Sequence, residues 1–257
     1  MKIKVDISGL DILRAKLRGL QDKKIKVAMV AALNDAAYAG AQATRKEMAK
    51  VFDRPTPWVL GGVRYVKARK DKLQSSIDFD QWGNKTNVTV EKVLMAEIMG
   101  GVRRFKRHEL ALKQVGILPE GMAIVPGPAA IKDQYGNMMG SQIVQIVAWF
   151  KGFERVAGAR QNMTDKTRAR LGKDKKNGTR GFAYFVLPKQ HGKLPPGIYQ
   201  RFTLAHGSAI KPIMYFVRIP TYQRRLDFYG IAERESKAAF NAAFPLYLAQ
   251  LLKEQGL

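Results

Sequence analysis

The sequence predicts an α+β fold: an antiparallel sheet flanked by a long helix in the N-terminal half and a second helix at the C-terminus. Three observations predict it. Apolar residues recur at helical spacing along Lys26–Lys50, with Val30, Leu33, Ala37, Ala41, Met48 and, just beyond, Phe52 close to one face. Short runs of alternating polarity then follow one another through hairpin-like links. From Phe228 to Glu254 the helical period returns, with Phe240, Phe244, Tyr247 and Leu251 on one face. Strands and helices mixed in this way belong to the α+β class, and with no internal repeat the chain reads as a single domain over residues 1–257.

The elements follow in chain order. "KIKVDI" alternates as a strand at Ile3, Val5 and Ile7, and a helix beginning near Asp11, capped by Ser8 or Asp11, carries Leu13, Leu17 and Leu20. In the Lys26–Lys50 helix, Ala28, Ala31, Ala32, Ala36, Ala39 and Ala43 keep the cylinder slim enough to pack closely on a sheet or a neighbouring subunit. "VFDRPTPWVL" stops that helix. Pro55 and Pro57 lack a backbone donor, and each pushes its predecessor, Arg54 or Thr56, towards an extended conformation. Asp53 is expected to accept a backbone hydrogen bond in the turn, and a strand-like run follows. Strands are expected at Gly62–Lys67, Leu73–Asp80 and Thr86–Glu91, the last two joined by the hairpin loop "QWGNKTN".

Met95–Gly101 reads as a short helix ended by its glycine pair, and a second short helix runs from Arg107 to Gly116. "MAIVPGPAA" is extended, and Ser141 caps a helix to about Lys151. Arg155–Arg180 holds nine basic residues against two acids and lacks an apolar period, which reads as a mobile loop. Strands resume at Phe182–Leu187, Ile198–Phe202 and Ile213–Ile219, and Pro245 is expected to kink or divide the last helix.

Composition bounds the chemistry. Hydrophobic residues make up 46% of the 257, enough to bury a sizeable core. Forty-five Lys and Arg against 21 acids leave a net charge of +24, a self-repulsion that an acidic partner would relieve. The absence of cysteine removes disulfides, thiol catalysis and Cys-based zinc sites, and it suits assembly in a reducing cytoplasm. "MKIKVDISGL" has no apolar signal region, and "IVQIVAWF" is too short to span a bilayer, so no membrane partner is expected.

An enzyme is not expected. His108, His191 and His206 have no metal-ligand spacing. "SAIK" (Ser208–Lys211) matches a Ser-x-x-Lys pattern, but a β-rich run puts its two side chains on opposite faces. "GKDKKNGTRG" lacks the Gly-Lys-Ser/Thr of a phosphate-binding loop. No catalytic residue, metal or cofactor is therefore assigned. What remains is the basic segments. Arg103, Arg104, Lys106 and Arg107 surround Phe105, and 155–180 is a second block. Such groups neutralise phosphates without reading sequence, or meet acidic faces of other subunits.

"VFDRPTPWVL" after an Ala-rich helix resembles the signature of the prophage minor tail protein Z family. The resemblance continues at "GGVRRFKRHELALKQVGILPEGMAIVPG" and "DQYGNMMGSQIVQIVAWF", then at "LPPGIYQR", "IKPIMYFV" and "YQRRLDFYGIAE", in one order over most of the chain. It implies a tail-completion or head–tail joining protein of a tailed bacteriophage, assembled in the host cytoplasm and carried in the tail or neck of the virion. Its partners would be further copies of itself in a ring, other neck, connector or tail-tube proteins, and viral DNA through non-specific contact. It implies no catalytic residue. Phe52, Asp53, Arg54, Pro55, Pro57, Gly100 and Gly101 become fold or subunit-interface markers, and Arg103, Arg104, Lys106 and Arg107 the residues expected to face DNA or the channel. The alternatives are a sequence-independent DNA-binding protein and a metal-dependent nuclease acting on viral DNA.

Overall fold

The computed structural model describes residues 2–5, 22–80, 88–153, 162–174, 178, 180–204 and 206–254. The helix expected near Asp11, the "QWGNKTN" loop and residues 155–161, 175–177 and 179 of the basic segment lie outside them. The fold is α+β with antiparallel sheets, and the long N-terminal-half helix packs on the C-terminal one. The expectation of one central sheet and one core is corrected. The chain divides into two compact units, residues 1–101 with 222–257 and residues 102–221. Each has its own sheet and its own buried apolar clusters. The second unit is an insertion between two halves of the first, a topology that period and polarity along the chain do not report.

In the first unit, β1 (Lys2–Val5), β3 (Ser75–Phe79) and β2 (Val63–Val66) form an antiparallel sheet in that order. The central strand is buried along its whole length. Ile77 and Phe79 enter a core with Ala37, Ala41, Met48, Leu94, Ile98 and Phe228, and Phe79 stacks on Phe228 at 4.5 Å. Ser75 donates to the carbonyl of Leu33, so its buried hydroxyl is satisfied.

Helix α1 (Asp22–Val51) carries the expected apolar face: Leu33, Ala37, Ala41 and Met48 are buried. Its slim side receives α7 (Phe228–Lys253). The approach is tight at Gly40, where a Cβ would meet Ser236 Oγ, Ile77 Cδ1 and the Ala232 carbonyl oxygen. Phe240 and Phe244, stacked on one another, pack with Ala28, Met29, Ala32, Leu33 and Ala36. Pro245 sits inside α7, which runs on past it as one helix.

Two sequence expectations fail here for local reasons. The run after Pro57 begins as a short helix, α2 (Pro57–Gly61), because Thr56 caps it by accepting from Val59 N and Pro57 stands at its first turn. The described part of Thr86–Glu91 is not a strand. Thr89 caps α3 (Val90–Met99), and Val90, Leu94 and Ile98 are buried at the helical period of four.

In the second unit, β5 (Met122–Pro126), β8 (Gly207–Arg218), β7 (Gly197–Leu204) and β6 (Phe182–Leu187) make an antiparallel sheet in that order. Pro212 is tolerated within β8 because the β7–β8 register shifts beside it, between Ile198 and Tyr199. Helices α4 (Arg107–Gln114) and α5 (Gly140–Trp149) bring Leu112, Ile146, Val147 and Trp149 onto Tyr184, Ile198 and Met214, and α6 (Asp165–Leu171) adds the half-buried Leu171. The N-cap of α5 is Met139, without a side-chain bond, so Ser141 does not cap it. Helix α6 also corrects part of the expected loop. Thr164 accepts from Thr167 N to cap it, and Arg168 lies over Trp149 at 5.7 Å. The remaining short strands, β4 (Gly101–Val102) and β9 (Thr221–Tyr222), pair with each other where the chain crosses between units.

Candidate functional site

The corner at 52–57 is built by the chain on itself. Phe52 N still donates to the Met48 carbonyl, and Arg225 closes the end of α1 by donating Nη2 to Val51 O at 2.6 Å. The Arg225 guanidinium also lies 6.0 Å from the Phe52 ring centre. Arg54 then turns the chain in the left-handed region, at φ 47°, not in the extended conformation expected before Pro55; Thr56, before Pro57, is extended at φ −69°, ψ 152°. The Asp53 carboxylate takes its hydrogen bonds from the Arg54 side chain, at 3.2 Å each, instead of from a backbone N–H, and both groups are exposed. Pro55 is half-buried and Pro57 exposed. Gly100 ends α3 at φ 77°, with its N–H on the Ala96 carbonyl, and Gly101 follows at φ 94°. Both positions demand glycine, which gives the pair a fold role.

The basic block divides. Arg103 is committed inward: Nη2 donates to Glu109 Oε1 at 2.6 Å and Nη1 to Oε2 at 2.8 Å. Glu109 has no exposed side-chain surface. It further accepts from Lys106 N at 2.6 Å and Ile124 N at 2.7 Å, tying the start of α4 to β5. Burial raises the Glu109 pKa, but the Arg103 bond and then those from Ile124 and Lys106 outweigh it and hold the carboxyl below its usual range. The expectation that Arg103 faces DNA or a channel is thus corrected, because a buried carboxylate needs its charge partner. Arg104, Lys106 and Arg107 are exposed. Lys106 has its pKa lowered by desolvation and then by Arg103, with Glu109 opposing. Burial, with Lys106 and Arg103 adding to it and Glu109 opposing, pushes the neighbouring His108 down to about 4, so its imidazole is neutral at pH 7. The sequence signal for this hub was the lone acid in "RRFKRHEL"; its second anchor, Ile124, is fifteen residues away and beyond any local pattern.

A polar cavity of about 450 Å³ lies between α1 and the start of α7, lined by Lys46, Glu47, Lys50, Arg225, Asp227 and Arg234 among others. Its charges largely compensate one another. Lys50 pairs with Glu47 at 3.3 Å, Arg234 with Asp227 at 3.4 Å, and Arg225 with Glu97 at 3.8 Å. Among the described residues no group of three or more His, Asp and Glu converges as a metal site would require, and no helix is long and apolar enough to cross a membrane. Comparison with known protein families, with curated proteins and with solved structures finds no match to this chain.

Proposed function

We propose that this chain is a structural protein of a tailed-bacteriophage particle, one that completes the tail or neck and joins it to the head connector as a ring of identical copies around the DNA path. The observation that carries the reading is the ordered series of segments, from "VFDRPTPWVL" to "YQRRLDFYGIAE", that resembles the minor tail protein Z family. Two properties support it. The signature residues are spent on corners, caps and the Glu109 hub, as suits a scaffold that is recognised by its shape. The net charge of +24 suits a ring that encloses a polyanion.

A second reading, a free and sequence-independent DNA-binding protein, is favoured by the same charge. The two part in an infection that lacks the chain. The joining role predicts filled heads and separate tails in electron micrographs, and attachment restored by adding purified protein to the lysate. Normal particles from such an infection would overturn it. Metal-dependent cutting of plasmid by the pure protein, abolished by one carboxylate substitution, would move the assignment to a nuclease.

A further inference from the structure

The longest acid-free stretch of the chain runs between Asp174 and Asp227, and ten Lys and Arg fall inside it. Half of this stretch is the three strands β6, β7 and β8. β6 flanks β7 only as far as Phe202, and β5 flanks β8 only from Met214 onward. Beyond those points β7 and β8 continue as a ribbon of two strands, with Thr203 opposite Ser208 and both exposed.

Two cations stand at the base of this ribbon. Arg201 pairs with Ile210 and Gln200 with Lys211. Paired residues share a face and successive residues alternate, so Arg201 and Lys211 project from opposite faces. The Arg201 guanidinium lies over Phe185 at 4.8 Å, and the Lys211 ammonium over Phe202 at 5.1 Å. Neither meets a carboxylate among the described residues, whereas Arg64, Arg69, Arg224 and Arg234 each do. The acid that adjoins β6, Asp174, gives one oxygen to Gly181 N. An aromatic ring orders a long cationic side chain but leaves its charge intact. The ribbon therefore presents two ordered, uncompensated positive groups on its two faces.

We infer that the β7–β8 ribbon is a binding arm for duplex nucleic acid, entering a groove so that Arg201 and Lys211 reach phosphates of opposite strands. A flat acidic protein surface could satisfy one face of the ribbon only. A groove has phosphates on both walls, and the major groove, about 12 Å wide, admits a two-stranded ribbon. From Phe202, where β6 ends, to Leu204 the strand reaches about 7 Å, most of a groove depth of about 8.5 Å, which leaves Arg201 and Lys211 at the level of the groove's rim. Contacts through phosphates carry no base information, so the arm binds without sequence preference. The inference does not rest on the virion reading, because naked duplex and purified protein suffice to test it.

The test is fluorescence anisotropy of the full chain on a labelled mixed-sequence duplex across a salt series. R201Q/K211Q should lower affinity about tenfold or more at moderate salt and flatten the log–log salt slope by about 1.8, two phosphates' worth. R201K/K211R should keep both, with unchanged melting. In the unmodified protein, duplex should shield Lys211 from amine acetylation, read by mass spectrometry, so a folding defect in the Gln variant leaves the question decidable. Native affinity and slope in R201Q/K211Q, or an unshielded Lys211, overturns the inference. Competition by polyglutamate as strong as by duplex of equal charge overturns it in favour of an acidic protein face. Equal competition by single-stranded oligonucleotide overturns the groove.

Discussion

At Glu109 a carboxylate with no exposed surface accepts hydrogen bonds from Arg103, Lys106 N and Ile124 N. Removing one partner of a buried ion pair leaves the other uncompensated, so Arg103→Ala should cost about 3 kcal/mol in urea unfolding. Alanine at all four cations of the block would therefore report on folding before it reported on DNA. The pH dependence follows from two shifts of the same sign. The folded pKa of Glu109 lies below its unfolded value, so its contribution is complete above the unfolded value and fades as pH falls through the folded one. The His108 imidazole takes a proton near 6.5 when unfolded but only near 4 when folded, so stability also falls as pH drops from 6.5 to 4 and levels off below. Urea midpoints measured from pH 7 to pH 3 should decline throughout. His108→Gln should remove the upper part of the decline and leave the lower. A flat profile between pH 7 and 4 would contradict the His108 assignment, and one that stays flat below the ordinary glutamate range would contradict the Glu109 assignment.

The α1–α7 pair sets the element scale. Its alanine stripe, and Gly40 above all, lets the two helices approach until backbone oxygen meets the missing Cβ. Gly40→Leu should thus overpack the crossing and cost at least about 2 kcal/mol by thermal or urea unfolding, despite leucine's better helix propensity. Both helices were legible in the sequence because each carries one apolar stripe over many turns; β3 was legible from the alternation of Ile77 and Phe79, and β2, β6, β7 and β8 as short runs rich in β-branched and aromatic residues. Val88 and Val90 misled, since alternation over so short a span looks the same as the first turn of a capped helix, and Thr89 decided the matter. Helix α6 was hidden by charge. Its Arg168 and Leu171 turn inward to Trp149 and the second-unit core, a contact that composition does not show. Arg103 was read as a surface cation for the same reason, because only its partner's burial reveals its role.

At the scale of the whole molecule, residues 102–221 form a contiguous stretch with their own sheet and core. Expressed alone, that stretch should fold cooperatively, with dispersed amide resonances and a single melting transition. An aggregated or unstructured fragment would show that the core depends on the rest of the chain. The two-unit organisation escaped the sequence because insertion leaves no mark on local periodicity, and both units use the same antiparallel vocabulary. The charge of +24 belongs to the whole chain, but its use differs from place to place: neutralised by carboxylates around α1 and α7, buried at Arg103, and without a carboxylate partner among the described residues at Arg201 and Lys211 on the β7–β8 ribbon. The central claim, that this is a structural protein of a phage particle, is tested most directly by mass spectrometry of purified virions. The account predicts peptides of this chain in the particle, in multiple copies and in the tail or neck fraction after disruption. Their absence from virions, with the protein abundant on viral DNA in the infected cell, would contradict it.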